Sequence, residues 1–299
     1  MTIELEEPPL TQDNKQVAKD LFAGTMGGIA QVLVGQPFDL VKVRLQSSPE
    51  GTYNGAIDVI KKTLANEGPF GFYKGTLTPL LGVGACVSVQ FSVNEFMKRH
   101  FDKKLNGQPM TILDYFYCGA VAGFANGFLT SPIEHIRIRL QSQTGVNKVY
   151  NGPFDCAKKI YEQNGIRGIY KGLGPTLIRE SVGLGIYFAT YEALIARELK
   201  LDTKLTRNDI PAWKLCMFGG LSGYTLWIGI YPIDVIKSKL QTDGIKNGKY
   251  NNAMAVAKDV LRTQGIKGLY KGFMPTILRA APANGATFAV FEITMRLLG

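Results

Sequence analysis

Acid, base and amide recur at one spacing in three places. Asp39, Lys42 and Gln46 follow Pro37; Glu134, Arg137 and Gln141 follow Pro132; Asp234, Lys237 and Gln241 follow Pro232. Positions i, i+3 and i+7 share one helical face, so each segment carries a charged stripe. Pairing within one helix would contribute only about 0.2–0.5 kcal/mol. Three stripes around a threefold axis can instead pair between helices: Asp39 with Arg137, Glu134 with Lys237 and Asp234 with Lys42, with the glutamines beneath. Such a ring closes one end of a cavity. Because an exposed ion pair is worth about 0–1 kcal/mol, substrate binding can open it, which is the physics of a gate. The prolines bend the helices so that their ends converge on the ring.

No nucleophile–base pair, phosphate loop or metal cluster accompanies the stripes. Neither His100 nor His135 has a ligand partner in the sequence. The residues therefore point to no enzyme, no metal and no cofactor.

The elements that position the stripes repeat as well. The motif prolines lie 95 and 100 residues apart, and each stripe is followed by a tyrosine start (Tyr53, Tyr150, Tyr250) and then by Tyr73-Lys74-Gly75, Tyr170-Lys171-Gly172 or Tyr270-Lys271-Gly272. The 299-residue chain is thus three copies of one unit, over 1–108, 109–208 and 209–299. Before each proline runs an uncharged stretch long enough to cross a bilayer core of about 30 Å, and a second follows each Lys-Gly. The second stretch carries Arg179 and Glu180 in copy two and Arg279 in copy three. Charges in a span are expensive unless they face a wet cavity, which marks these three as functional. Gly24 and Gly28, Gly119 and Gly123, and Gly219 and Gly223 form small-xxx-small pairs that predict close helix contact.

Composition sets the remaining bounds. Charged residues make up 19% of the chain and hydrophobic ones 45%, with 34 glycines; the mean hydropathy is +0.02. Four scattered cysteines exclude a disulfide framework and a zinc ribbon. Of the 34 Lys and Arg behind the net charge of +10, 20 lie between the two spans of a repeat. One face of the membrane is therefore basic, with both termini on the other. A nucleic-acid patch is the bland alternative and is set aside by the spans. Glu4, Glu6 and Glu7 fit neither a signal nor a transit peptide.

The triplicated P-x-[DE]-x-x-[KR] followed by [FY]-[KR]-G resembles the mitochondrial carrier family over nearly the whole chain. The resemblance implies an all-α membrane protein: six tilted transmembrane helices in three pseudo-symmetric repeats, with short matrix helices, working as a monomer in the inner membrane with its termini toward the intermembrane space. It also implies cardiolipin at the repeat joints. Tyr73, Lys74, Gly75, Tyr170, Lys171, Gly172, Tyr270, Lys271 and Gly272 precede helix N-termini that suit a lipid phosphate. A second gate at the other end of the cavity would fall on Glu95, Lys98, Glu192 and Glu292, with a base in the first copy alone.

Substrate contacts in this family are read about two turns after each [KR]-G, which gives Gly82, Arg179, Glu180 and Arg279, with Gln90 as a further polar lining residue. Arginine forks suit carboxylates, and Glu180 can take an ammonium. A site charge near +1 is matched by a small amino acid, glutamate best. Ala85, where ornithine carriers have an acid, disfavours a dibasic substrate, and Gln36 stands where carnitine carriers have His. The sequence looks most similar to a fungal subgroup of the carnitine/ornithine branch. Carnitine, acylcarnitine and ornithine carriers remain alternatives, as do a transport-inactive membrane adaptor of the same fold and a basic soluble repeat protein.

Overall fold

A computed structural model describes residues 14–49, 51–105, 108, 110–144, 148–201, 207–245 and 248–298. The acidic N-terminal tail and the junction at 109 lie outside them. Among the described residues there are nine α-helices and two short 3₁₀ turns. Six helices are long: α1 (Asn14–Ser47), α3 (Leu77–Leu105), α4 (Ile112–Ser142), α6 (Leu173–Leu201), α7 (Ala212–Thr242) and α9 (Phe273–Leu298). Three are short: α2 (Ala56–Glu67), α5 (Pro153–Ile169) and α8 (Ala253–Gly268). Each repeat therefore reads long, short, long. The motif prolines lie inside α1, α4 and α7.

Each short helix is held by a small core of its own against the preceding long one. Val59 packs with Val41 and Leu45; Cys156 and Ile160 pack with Leu140 and Tyr150; Val256 and Val260 pack with Leu240. The same sequence register supplies all three. Left-handed glycines follow α2 at Gly68 and kink α5 and α8 at Gly165 and Gly265, letting the chain turn at no steric cost.

The long helices pack in a ring, α1 on α9, α3 on α4, α4 on α6 and α6 on α7, while α1 with α3 and α7 with α9 touch only marginally. Of the three small-xxx-small pairs, the one on α4 makes the close backbone contact expected of all three. A Cβ on Gly119 would lie 2.5 Å from the Leu184 carbonyl oxygen, and one on Gly123 would overlap the Glu180 carbonyl, so α4 and α6 touch backbone to backbone. Gly24, Gly28 and Gly223 would meet nothing within 4 Å.

By length and apolarity, α4 alone passes as a membrane span among the described residues, with Pro69–Gly82 and Gly84–Leu105 as a second, bent pair. The other long helices are diluted by charges and polar groups, which the ring and cavity below collect. Large apolar side chains such as Phe22, Phe91, Phe124, Ile228 and Ile293 stand exposed on the long helices.

Candidate functional site

The three stripes meet. Arg137 Nη2 on α4 lies 2.6 Å from Asp39 Oδ2 on α1, Lys42 Nζ on α1 lies 2.7 Å from Asp234 Oδ2 on α7, and Lys237 on α7 pairs with Glu134 on α4. Every base crosses to another repeat, so the three pairs form a cycle through α1, α4 and α7. Lys42 Nζ also sits over the Trp227 ring, 4.5 Å from its centroid, a cation–π contact that adds to the ion pair.

The glutamines divide. Gln46 Nε2 donates to Asp234 Oδ2 and to the Tyr231 hydroxyl, both at 3.1 Å, and so braces the ring. Gln141 Nε2 and both side-chain polar atoms of Gln241 make no hydrogen bond to protein, and the Gln241 chain lies against Gly172. Gln36 supplies a brace of another kind: its Oε1 accepts from Arg137 Nη2 at 2.7 Å and its Nε2 donates to the Lys74 carbonyl at 2.7 Å.

The Lys-Gly turns seat each repeat on the next. Gly75, Gly172 and Gly272 have φ of 77°, 86° and 84°, a conformation that costs an L side chain about 1–2 kcal/mol. A Cβ there would also lie 3.2 Å from the Arg137 carbonyl oxygen, 2.7 Å from Gln241 Cγ and 3.2 Å from the Lys42 carbonyl oxygen respectively. Glycine thus lets the turn lie directly on the ring helix of another repeat.

Two of the three lysines in these turns are engaged within the protein. Lys74 Nζ pairs with Glu67 Oε2 at 2.6 Å. Lys171 Nζ donates to the Gly244 carbonyl at 2.7 Å and pairs with Asp243 at 3.4 Å. Tyr73 is exposed, while Tyr270 stacks on Tyr231 and Lys271 offers its carbonyl to the Tyr231 hydroxyl.

A second tier lies beyond the ring. Arg44, 1% exposed, donates to the Gln141 and Gln143 carbonyls and to Thr63, and pairs with Glu67 at 2.8 Å. Burial pushes the Glu67 carboxyl up, but the hydrogen bonds from Arg44 and Lys74 outweigh it and hold the group below its ordinary range. His135 is buried between repeats 2 and 3, with its ring nitrogens 3.0 Å from the Ile169 carbonyl and 3.1 Å from the Gln241 carbonyl.

Above the ring lies a cavity of about 760 Å³ between α1, α6, α7 and α9. Of the five predicted substrate residues, Arg279 alone lines it, together with Gln31, Tyr187, Trp227 and Asn284. Arg279 Nε is 3.3 Å from Asp39 Oδ1, so the cation on the cavity wall leans on a ring acid. Gln31 Nε2 donates to Asn284 Oδ1 at 3.1 Å across the joint of α1 and α9.

The other four predicted substrate residues lie off this cavity. Gly82 is buried, its open face filled by Ile133, whose Cδ1 lies 2.6 Å from where a Cβ would be. Gln90 is half-buried on α3 and away from the cavity. Arg179 is buried where α4, α6 and α7 converge: it pairs with Glu134 at 2.7 Å, with its neighbour Glu180, and reaches Asp234 at 3.9 Å. Adjacent helix residues point about 100° apart, yet long side chains bend back when both are shut away from water. The accessible charge is simple. Three ring acids cancel three ring bases, Glu180 cancels Arg179, and Arg279 is left over.

At the far end of the cavity no pair links two of the long helices among the predicted residues. Lys98 pairs with Glu95 three residues earlier at 3.0 Å, and Glu292 with Arg296 four residues later at 3.0 Å. Glu192 takes Arg207, from the 3₁₀ turn between repeats 2 and 3, in two bonds of 2.8 Å. No motif marks Arg207, Trp227 or Gln31; only their place in the fold reveals them. The ring end is closed by its three pairs, whereas beyond the predicted residues the far end has Lys214 on α7 paired with Glu198 on α6.

The comparisons with known proteins agree with this architecture. The model of the family "Mitochondrial carrier protein" matches residues 13–105, 108–198 and 208–299. The mitochondrial glycine transporter YMC1 of Saccharomyces cerevisiae is 56% identical, over 99% of this chain and 96% of its own. The glutamate/glycine mitochondrial carrier ymc1 of Schizosaccharomyces pombe is 51% identical over 93% of each. The carnitine/acylcarnitine carrier protein of Rattus norvegicus is more distant, at 39% over 94% of each. With its triplicated stripes, ring and left-handed Lys-Gly turns matched throughout, this chain belongs to the mitochondrial carrier family.

Proposed function

We propose that the protein carries a small amino acid, glycine first, across the mitochondrial inner membrane by alternating access. The observation behind this reading is Arg279, a guanidinium on the wall of a cavity whose floor is the closed three-pair ring, with a 3.3 Å contact to a carboxylate that Arg137 already holds. Such a weakly compensated cation calls for one carboxylate. An α-amino acid supplies it, and the two fungal relatives named for glycine support the choice. Arg279 takes the α-carboxylate through its fork. The Gln31–Asn284 amide pair and the Tyr187 hydroxyl give the ammonium group acceptors nearby.

In this reading six long helices span the membrane, with their exposed apolar side chains toward lipid. The basic segments between spans face the matrix, the termini face the intermembrane space, and the protein works as a monomer. Gly82, Glu180 and Gln90 are substrate contacts of another stage of the cycle, when the ring is open. The ring is the matrix gate. Glu95, Lys98, Glu192 and Glu292 belong to the opposite gate. Cardiolipin binds at the Lys-Gly turns through the N–H groups of α3, α6 and α9 rather than through Lys74 or Lys171, which are engaged.

Glutamate is the second reading, because the leftover charge of Arg279 is best neutralised by a substrate of net charge −1. Proteoliposomes offered labelled glycine, glutamate, ornithine and carnitine in turn decide the matter. Glycine uptake, with glutamate weaker, is expected; ornithine or carnitine outcompeting both would overturn the charge argument.

A further inference from the structure

Arg279 reaches Asp39 by crossing α1 at Gly35. A Cβ at Gly35 would lie 2.6 Å from Arg279 Nε and 3.3 Å from Nη2, so no side chain fits there while the guanidinium lies in place. Asp39 is four residues further along α1, on the same face. The register is not shared: two residues before the other motif prolines stand Thr130 and Ile230, and Ile230 packs against Gly183. The slot exists only where repeat 3 meets repeat 1.

The grip of Asp39 on Arg279 is loose. Its Oδ2 is held by Arg137 at 2.6 Å, whereas Arg279 Nε stands 3.3 Å from Oδ1 and makes no well-formed hydrogen bond. Resting on the proposed function, we infer that Gly35 is a positioning residue: it seats the substrate guanidinium against a ring acid, so that a substrate carboxylate must take Arg279 from Asp39. Substrate and gate acid then compete for one cation. Binding removes a counter-charge from the ring, and by reciprocity weakening the hold of Asp39 tightens the hold of substrate. Filling the slot moves the guanidinium, the far end of a flexible chain, and leaves the backbone where it is.

The test is glycine exchange in proteoliposomes by the wild type, Gly35→Ala, Asp39→Asn and Gly28→Ala. Gly35→Ala should lower the half-saturating glycine concentration about fivefold, the low end of site-to-site coupling, while the maximal rate falls. Asp39→Asn should shift half-saturation the same way. Gly28→Ala, where an added Cβ meets nothing within 4 Å, should leave both parameters alone. A purely structural Gly35 would lower the rate with half-saturation unchanged or raised, and that result overturns the inference. A second readout does not depend on substrate: any shift that Gly35→Ala makes in the unfolding temperature of the purified carrier should vanish in an Arg279→Ala background. A shift that persists there also overturns it. If the wild type does not exchange glycine, the functional reading fails and this thermal cycle alone decides the role of Gly35.

Discussion

In repeat 2, α4 and α6 lie together along Gly119 and Gly123, and the arginine two turns beyond the Lys-Gly turn is buried among acids. In repeat 3, Gly219 and Gly223 line a cavity instead, and the equivalent Arg279 stands on its wall. The side chain of Arg179 is 9% exposed and that of Arg279 29%. Sequence register is the same in the two repeats; the distance between paired helices is not. A closed seam buries a guanidinium among acids, and an open one leaves it on a cavity wall.

The sharpest way to break this comparison is to truncate both arginines. Arg179→Ala leaves Glu180 without its cation and Glu134 with Lys237 alone, and removing one partner of a buried pair costs about 3–5 kcal/mol. Its unfolding temperature should drop steeply, or the protein should fail to accumulate. Arg279→Ala should keep the fold and abolish uptake. Equal loss of stability in both variants would erase the distinction between the repeats.

The seams can be tested directly. Gly123→Ala forces a Cβ onto the Glu180 backbone, which cannot swing aside as a side chain can; overpacking of this kind costs about 1–3 kcal/mol. At Gly223 the same change meets nothing within 4 Å, and replacing a helical glycine by alanine gains up to about 1 kcal/mol. Thermal unfolding should therefore move in opposite directions. Destabilisation by both would mean that repeat 3 also closes its seam in solution.

How far the sequence reached follows from what each feature depends on. The three ring pairs were legible because i, i+3 spacing fixes a helical face wherever the helix sits. The left-handed glycines of the Lys-Gly turns were legible as a repeat, although their contact with the neighbouring repeat was not. Register places Arg179 and Gly82 two turns beyond their Lys-Gly turns, but it cannot report that α4 approaches α6 closely enough to bury the first, or that Ile133 fills the space beside the second from another helix. Gly35, Trp227 and Arg207 belong to no motif. Each matters through a partner on a separate helix or linker, and a single sequence carries no sign of such partners.

Repeat 1 offers a third contrast, this time in pH. Glu67 bridges Arg44 and Lys74, where repeats 2 and 3 have Asn164 and Gln264. Its carboxyl is held below its ordinary value of 4.5 in the folded protein. The stability it contributes is therefore present above that value and is lost as pH falls through the lower folded value. Glu67→Gln should be less stable than the wild type near neutral pH, with the difference shrinking as the solution is acidified below 4.5. Unfolding temperature against pH for the two proteins checks it; parallel curves would deny Glu67 its role.

The smallest perturbation uses the native thiols. Cys118 lies buried in the closed seam of repeat 2, one residue before Gly119, whereas Cys216 is exposed and lines the open cavity of repeat 3. Cys156, on the buried face of α5, is shut away as well, and burial pushes its thiol up to about 12, so it presents almost no thiolate near neutral pH. A water-soluble maleimide should therefore modify Cys216 before Cys118 and Cys156, as read by mass spectrometry of the digested carrier. Because Cys216 and Arg279 line one cavity, glycine bound at Arg279 should slow that modification, and the protection should disappear in Arg279→Ala. Early labelling of Cys118 would instead mean that α4 and α6 part as readily as α7 and α9 do, and that the two repeats differ in sequence rather than in packing.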